Sequence, residues 1–191
     1  ETVVPGSWYR KSANSGYNHG KIVTDDYAEG EKALNLSITA GSTTTKLDTW
    51  DNNTAIQYVT IDRTKQYVLK FKAKNLVGNY PVFAGMSVGG GYEVSRSKWV
   101  ALSSNWEEYT VIIDPTQHQA SDTHYSDGDF QKSGVVFGNR TEYDENNKSL
   151  ESSILIDDVR LYEKGTEPEE GNVKDFIING NFETGEPNTS I

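Results

Sequence analysis

Trp50 stands in the run Asp48-Thr49-Trp50-Asp51-Asn52-Asn53, a setting too polar for an ordinary core indole. An exposed ring flanked by planar polar groups suits a sugar, whose C–H faces stack on aromatics while its hydroxyls bond to amides, carboxylates and guanidinium groups. Asn53 offers such an amide beside Trp50. The other reading of Trp50 is a plug over the edge of the fold. A second set follows Gly89-Gly90-Gly91, where the backbone can bend sharply or approach a partner closely: Tyr92, Glu93 and Arg96. Its plain alternative is a bulge with a surface ion pair. Trp99 reads equally as a stacking ring or as core. Tyr9 and Arg10 are candidates for one wall of a cleft, whereas Trp8 before them reads as core.

Asp157 poses a different problem. Taken at a strict period of two, it shares a face with Leu155, Val159 and Leu161, which turns a carboxylate toward the apolar side. An unpaired buried charge is expensive, and a calcium ion is an economical partner because hard cations collect carboxylate and carbonyl oxygens. A hydrogen-bonded Asp in a bulge is the alternative. His19, His118 and His124 lie in polar, loop-like sequence without zinc spacing.

Strands must position these residues. Leu34, Leu36 and Ile38 alternate with Asn35, Ser37 and Thr39; Tyr67, Leu69, Phe71 and Ala73 alternate with Lys70, Lys72 and Lys74. Val82, Ala84, Met86 and Val88 form another such set, as do Tyr109, Val111 and Ile113 after Trp106. Residues 55–61 and 134–138 supply further strands, and 153–163 a long closing one. Turn residues separate them and no segment of helical length has a 3.6 period. Many short antiparallel strands without cysteine predict an all-β jelly-roll sandwich of two antiparallel sheets, one curved to leave a concave binding face.

The 191 residues give one domain plus a tail, with a 35% hydrophobic fraction sufficient for a core. A net charge of −10 without a basic run disfavours nucleic acid and anionic membrane as partners. No apolar run approaches the ~18–20 residues of a membrane span. Residues 1–164 read as one module cut inside its first strand, 165–174 as a linker, and 175–191 as the first strand of a second, similar module. Glu1-Thr2 repeats Glu183-Thr184. The expectation is that the tail docks into the first-strand slot, in its own molecule or a neighbour's, with Glu183 near Asp157.

The order of the Trp8 segment, Glu29-Gly30-Glu31-Lys32-Ala33-Leu34, Trp50-Asp51, residues 67–74, Trp106-Glu107-Glu108-Tyr109 and Ile154-Leu155-Ile156-Asp157-Asp158-Val159 resembles a family 4 carbohydrate-binding module. Families 9, 16 and 22 share the fold and several of these signals. The resemblance implies a non-catalytic module, secreted, periplasmic or on a bacterial cell surface. Such a module holds an attached glycoside hydrolase on xylan, β-glucan or a related polysaccharide. It implies that Trp50, Tyr92 and Arg96 line a cleft. It also places Lys132 and Val136 where similar xylan binders carry an Arg and a His, a departure for which Asn139 and Arg140 would compensate. It further implies a structural calcium held by Asp157, Glu29, the Lys32 carbonyl and Glu183 or Glu1. Two rivals stand beside this reading. A jelly-roll glycoside hydrolase needs two carboxylates ~5–10 Å apart on the cleft strands, where acidic residues are sparse. A structural or adhesion module needs no aromatic row.

Overall fold

The computed structural model describes residues 8–10, 18–41, 54–62, 64–87, 98–115, 133–139, 142–166, 175–178 and 180–184. Ten strands run in chain order: β1 (Tyr9–Arg10), β2 (Asn18–Val23), β3 (Ala33–Ile38), β4 (Thr54–Tyr58), β5 (Tyr67–Val77), β6 (Val82–Ser87), β7 (Lys98–Val100), β8 (Glu107–Ile113), β9 (Gly134–Asn139) and β10 (Ser152–Glu163). They form two five-stranded sheets, a front sheet ordered β1-β4-β9-β6-β7 and a back sheet ordered β2-β3-β10-β5-β8. Every pairing is antiparallel. The expected all-β sandwich is therefore the observed fold, and the described residues contain no helix.

Alternation explains the back sheet. Tyr67, Leu69, Phe71 and Ala73 of β5 point inward and are fully buried, while Lys70, Lys72 and Lys74 lie on the outward side against Glu108, Glu29 and Asp26. The front sheet meets this core through Phe137, whose ring stands edge-on to Phe71 with centroids 4.9 Å apart. Burying one such side chain contributes about 1.5–3 kcal/mol, so a handful of rings outweighs any surface ion pair in this fold. Gly78 and Asn79, with φ of 93° and 45°, turn the chain from β5 in the back sheet to β6 in the front one.

β10 departs from strict alternation. Asp157 faces Lys72 and Arg160 faces Lys70, so three steps of β10 match two of β5: a bulge, with Asp158 at φ 46°. The extra residue reverses the phase. Ile154 and Ile156 reach the core before it, and Val159 and Leu161 after it. Leu155 instead packs on the outer side with Val23, Ala33 and Trp106. The shared face inferred for Leu155, Asp157, Val159 and Leu161 is thus corrected: a bulge is invisible to a period-two count.

The same strand changes partner along one edge. β3 pairs with β10 from Ser152 to Ile156. Beyond the bulge, the segment that follows the linker takes over. Phe176 donates its N–H to the Leu161 carbonyl at 2.8 Å, and Val159 donates to the Gly180 carbonyl at 2.9 Å. Ile177 and Phe182 from this segment are buried in the main core, and Phe182 lies 5.3 Å from the Trp8 ring. Docking of the tail onto the sandwich in its own molecule is therefore observed.

Candidate functional site

The outer side of the back sheet carries the paired lysines of β5 beside the Val23, Ala33, Leu155 and Trp106 cluster, and the outward face of the front sheet carries an apolar cluster of its own. Ile56 of β4, Phe83 of β6 and Val136 of β9 form a cluster separate from the core, with Tyr58 packed against it. Register builds it: Ile56 lies opposite Val136, and Phe83 opposite Trp99 of β7. Ile56, Phe83 and Val136 are buried, but Trp99 is 42% exposed and meets Phe83 edge-on at 5.3 Å. Position 9 of β1 falls opposite Ile56, at the far side of the same row. The result is a buried apolar cluster with an exposed indole at one margin, and that indole can stack on the C–H face of a ring.

A second constellation gathers around the loop 28–32, which leads into β3. Asp157 is fully buried, and its Oδ2 accepts N–H bonds from Ala28 and Glu29, both at 2.8 Å. Its Oδ1 accepts from Asp158 at 2.7 Å. Glu183 Oε1 accepts from Glu31 at 2.7 Å and Lys32 at 3.0 Å, and Lys32 Nζ donates to the Glu183 carbonyl at 2.8 Å. One loop thus presents successive amides to two carboxylates, one from β10 and one from the tail. Gly30, at φ 69°, is required there: a Cβ would overlap the Glu183 carboxylate. Burial pushes the Asp157 carboxyl above the usual carboxylate range, against the three donated hydrogen bonds. The hydrogen bond from Lys72, at 2.6 Å, holds the Glu29 carboxyl below it.

Calcium selects hard oxygen donors, and Asp157 and Glu183 supply them on one loop. Glu29 is engaged by Lys72, so a cation would have to displace an ammonium to gain the third carboxylate. Among the described residues no group of three or more His, Cys, Asp or Glu is gathered as a metal cluster.

Of the residues singled out from sequence, the structure brings Asp157, Glu29, Lys32 and Glu183 together at the loop; Glu1 lies outside the described residues. Trp99 sits on the outward face of the front sheet. Tyr9 and Arg10 are on its edge strand. Trp50, Asn53, Tyr92, Glu93, Arg96 and Lys132 lie outside the described residues. Asn139 is placed differently from expectation: it is buried, and its Nδ2 donates to the Leu36 carbonyl at 3.1 Å. That bond ties the front sheet to the back sheet, since position 139 shares the inward phase of Val135 and Phe137. Trp8 is core, against Phe137 and Phe182. Ile56, Tyr58, Phe83 and Gln57 went unremarked in the sequence. The signal for Ile56 and Phe83 is an apolar residue beside another of opposite phase, Ala55-Ile56 in β4 and Val82-Phe83 in β6, which marks strands covered on both faces.

No family model matches the chain, and no curated protein matches it. Solved structures do. A Bacteroides thetaiotaomicron protein assigned to sugar binding is 16% identical, with a TM-score of 0.56 over 85% of this chain and 90% of that one. A family 4 carbohydrate-binding module is 18% identical, with a TM-score of 0.50 over 84% of this chain and 88% of that one. The family 30 carbohydrate-binding module of a Clostridium thermocellum cellulosomal cellulase is 14% identical, with a TM-score of 0.50 over 86% and 96%. The class is thereby defined: this chain is a β-sandwich with the fold of carbohydrate-binding modules. No helix among the described residues is long and apolar enough to cross a membrane.

Proposed function

We propose that this chain is a non-catalytic polysaccharide-binding module that lays a β-1,4-linked plant cell-wall glycan of the xylan class along the outward face of its front sheet. One observation carries the reading: Trp99 stands 42% exposed on the outward face of the front sheet, whereas Trp106, on the outer side of the back sheet, is bonded to Asp26 and covered by Lys74. The back sheet offers Lys70, Lys72 and Lys74 paired with carboxylates, while the front sheet offers Ile56, Phe83 and Val136 with an exposed Trp99. Of the front-sheet set only the Trp99 indole reaches the surface, and a ring held there on buried apolar side chains is suited to stack on a sugar. The module would hold an attached glycoside hydrolase on its substrate, outside the cell, as one of a tandem. Trp50, Asn53, Tyr92, Glu93, Arg96 and Lys132 would complete the polar rim.

Calorimetric titration with xylohexaose, cellohexaose and mannohexaose ranks the substrate class, and the xylan reading requires the first to bind tightest. Trp99→Ala is expected to weaken the preferred ligand at least about tenfold, or ~1.4 kcal/mol. Its Tm should move little, because the ring is 42% exposed. Unchanged affinity in that variant would remove Trp99 from the site, and no binding to any of the three sugars would remove the function.

Calcium belongs to the same proposal as a structural brace, held by Asp157 and Glu183 with Glu29 recruited from Lys72 and the Lys32 carbonyl adding an oxygen. When bound it would supply positive charge to the loop and no chemistry. Addition of calcium should raise Tm and chelation lower it, with glycan affinity at low temperature unaffected. A Tm indifferent to both treatments means that the loop amides hold the carboxylates alone.

A further inference from the structure

Residues 175–184 are held by contacts that read a sequence. Gln57, buried on β4, clamps the backbone of Ile178 from both sides: its Oε1 accepts the Ile178 N–H at 2.8 Å and its Nε2 donates to the Ile178 carbonyl at 2.7 Å. β10 contributes the Val159 N–H and the Leu161 carbonyl. Asp175 Oδ1 accepts from Leu161 and Ile177 at 3.0 and 2.9 Å, starting the segment in register. Phe176 meets the Tyr67 ring edge-on at 5.5 Å. Ile177 and Phe182 fill core positions, and Glu183 takes the amides of the 28–32 loop. At position 180 only glycine fits, because a Cβ would overlap the Val159 carbonyl. Backbone bonds supply affinity, and two apolar sockets, one glycine passage and one carboxylate nest supply selectivity, as in strand addition to a sheet edge.

We propose that this slot is a peptide-binding site specific for a Phe-Ile-x-x-Gly-x-Phe-Glu segment, and that it accepts that segment from a second copy of this chain when its own is withdrawn. A second copy carries the identical segment, and one observation makes it a competent donor. The contacts of the segment are made to the sandwich body, so none of those described depends on the covalent route through residues 167–174. A short tether gives its own segment an effective concentration on the order of 1 mM. Exchange between intact chains is therefore a minority event at micromolar concentration and surfaces once the tethered segment is crippled.

The test uses full-length chains. A Phe182→Ala chain keeps the slot and weakens its own segment. A synthetic peptide of residues 174–186 should bind it saturably and restore most of the lost Tm, whereas the same peptide carrying Gly180→Val should do neither. Sedimentation of that chain mixed with a Gln57→Ala chain, whose segment is intact, should show a heterodimer. If Phe182→Ala does not fold, Glu183→Ala, which retains both aromatic anchors, takes its place. Failure of the peptide to bind or to raise Tm overturns the site, and peptide binding without a heterodimer overturns the second copy as its donor. Glycan titration is independent of both outcomes.

Discussion

Phe182→Ala is expected to lower the stability of this chain by about 3–5 kcal/mol, the range for deleting a fully buried aromatic ring. Few single substitutions in a domain stabilised by ~5–15 kcal/mol would have a larger effect. The ring is fully buried, packs on Trp8 at 5.3 Å, and stands on a backbone with φ of 60°. Loss of Phe182 empties a socket that the two sheets cannot close from their own strands. It also weakens the anchorage of Glu183, the next residue. Urea unfolding followed by intrinsic fluorescence measures the change. A loss under ~1 kcal/mol would mean that the segment 175–184 is an ornament of the sandwich and not part of its core.

Asp157→Ala is the second large effect. Removing the carboxylate leaves the amides of Ala28, Glu29 and Asp158 without their acceptor beneath the loop. Orphaned buried donors at ~1–3 kcal/mol each, partly relieved by entering water, give an expected loss of about 3–5 kcal/mol. Asp157→Asn keeps one acceptor oxygen and should lose less. It also exposes a pH dependence. Burial raises the Asp157 carboxyl above its ordinary value of 3.8 in the folded chain. A carboxyl of that kind contributes fully to stability below its unfolded pKa and loses the contribution as pH rises through the folded one. With a chelator present, the wild type should therefore gain on Asp157→Asn as pH falls from neutrality toward 3.8. A gap that narrows on acidification would show that the three amides outweigh burial.

The two sheets were legible wherever one face of a strand is wet. β5 shows this best, because three lysines on one side and a Tyr-Leu-Phe-Ala row on the other leave a single possible phase. β4 and β9 were legible as strands but not as walls of a site: with apolar residues on both faces, alternation carries no information about which side is the core. Asp157 was legible as a residue needing a partner, yet its direction was misread, since one inserted residue moves everything after it to the opposite face. What the sequence did not show is that loop 28–32 turns amides toward it, a property of backbone direction that no side-chain pattern encodes. Asn139 failed for a related reason. The resemblance turned its amide toward a sugar in the cleft, whereas here it bonds to a carbonyl of the facing sheet.

The contact between Trp8 and Phe182 joins the first and nearly the last described residues of the chain. Its consequence is temporal. A sandwich of this topology already folds slowly, because most of its pairings close long loops. Here the final socket of the core receives its ring only after all ten strands have been made, so the sandwich holds an unfinished core until residue 182 has been added. Until residue 182 arrives, Trp8 has no Phe182 to pack against. The segment from Asp175 to Glu183 thus sets the moment at which the whole body becomes native.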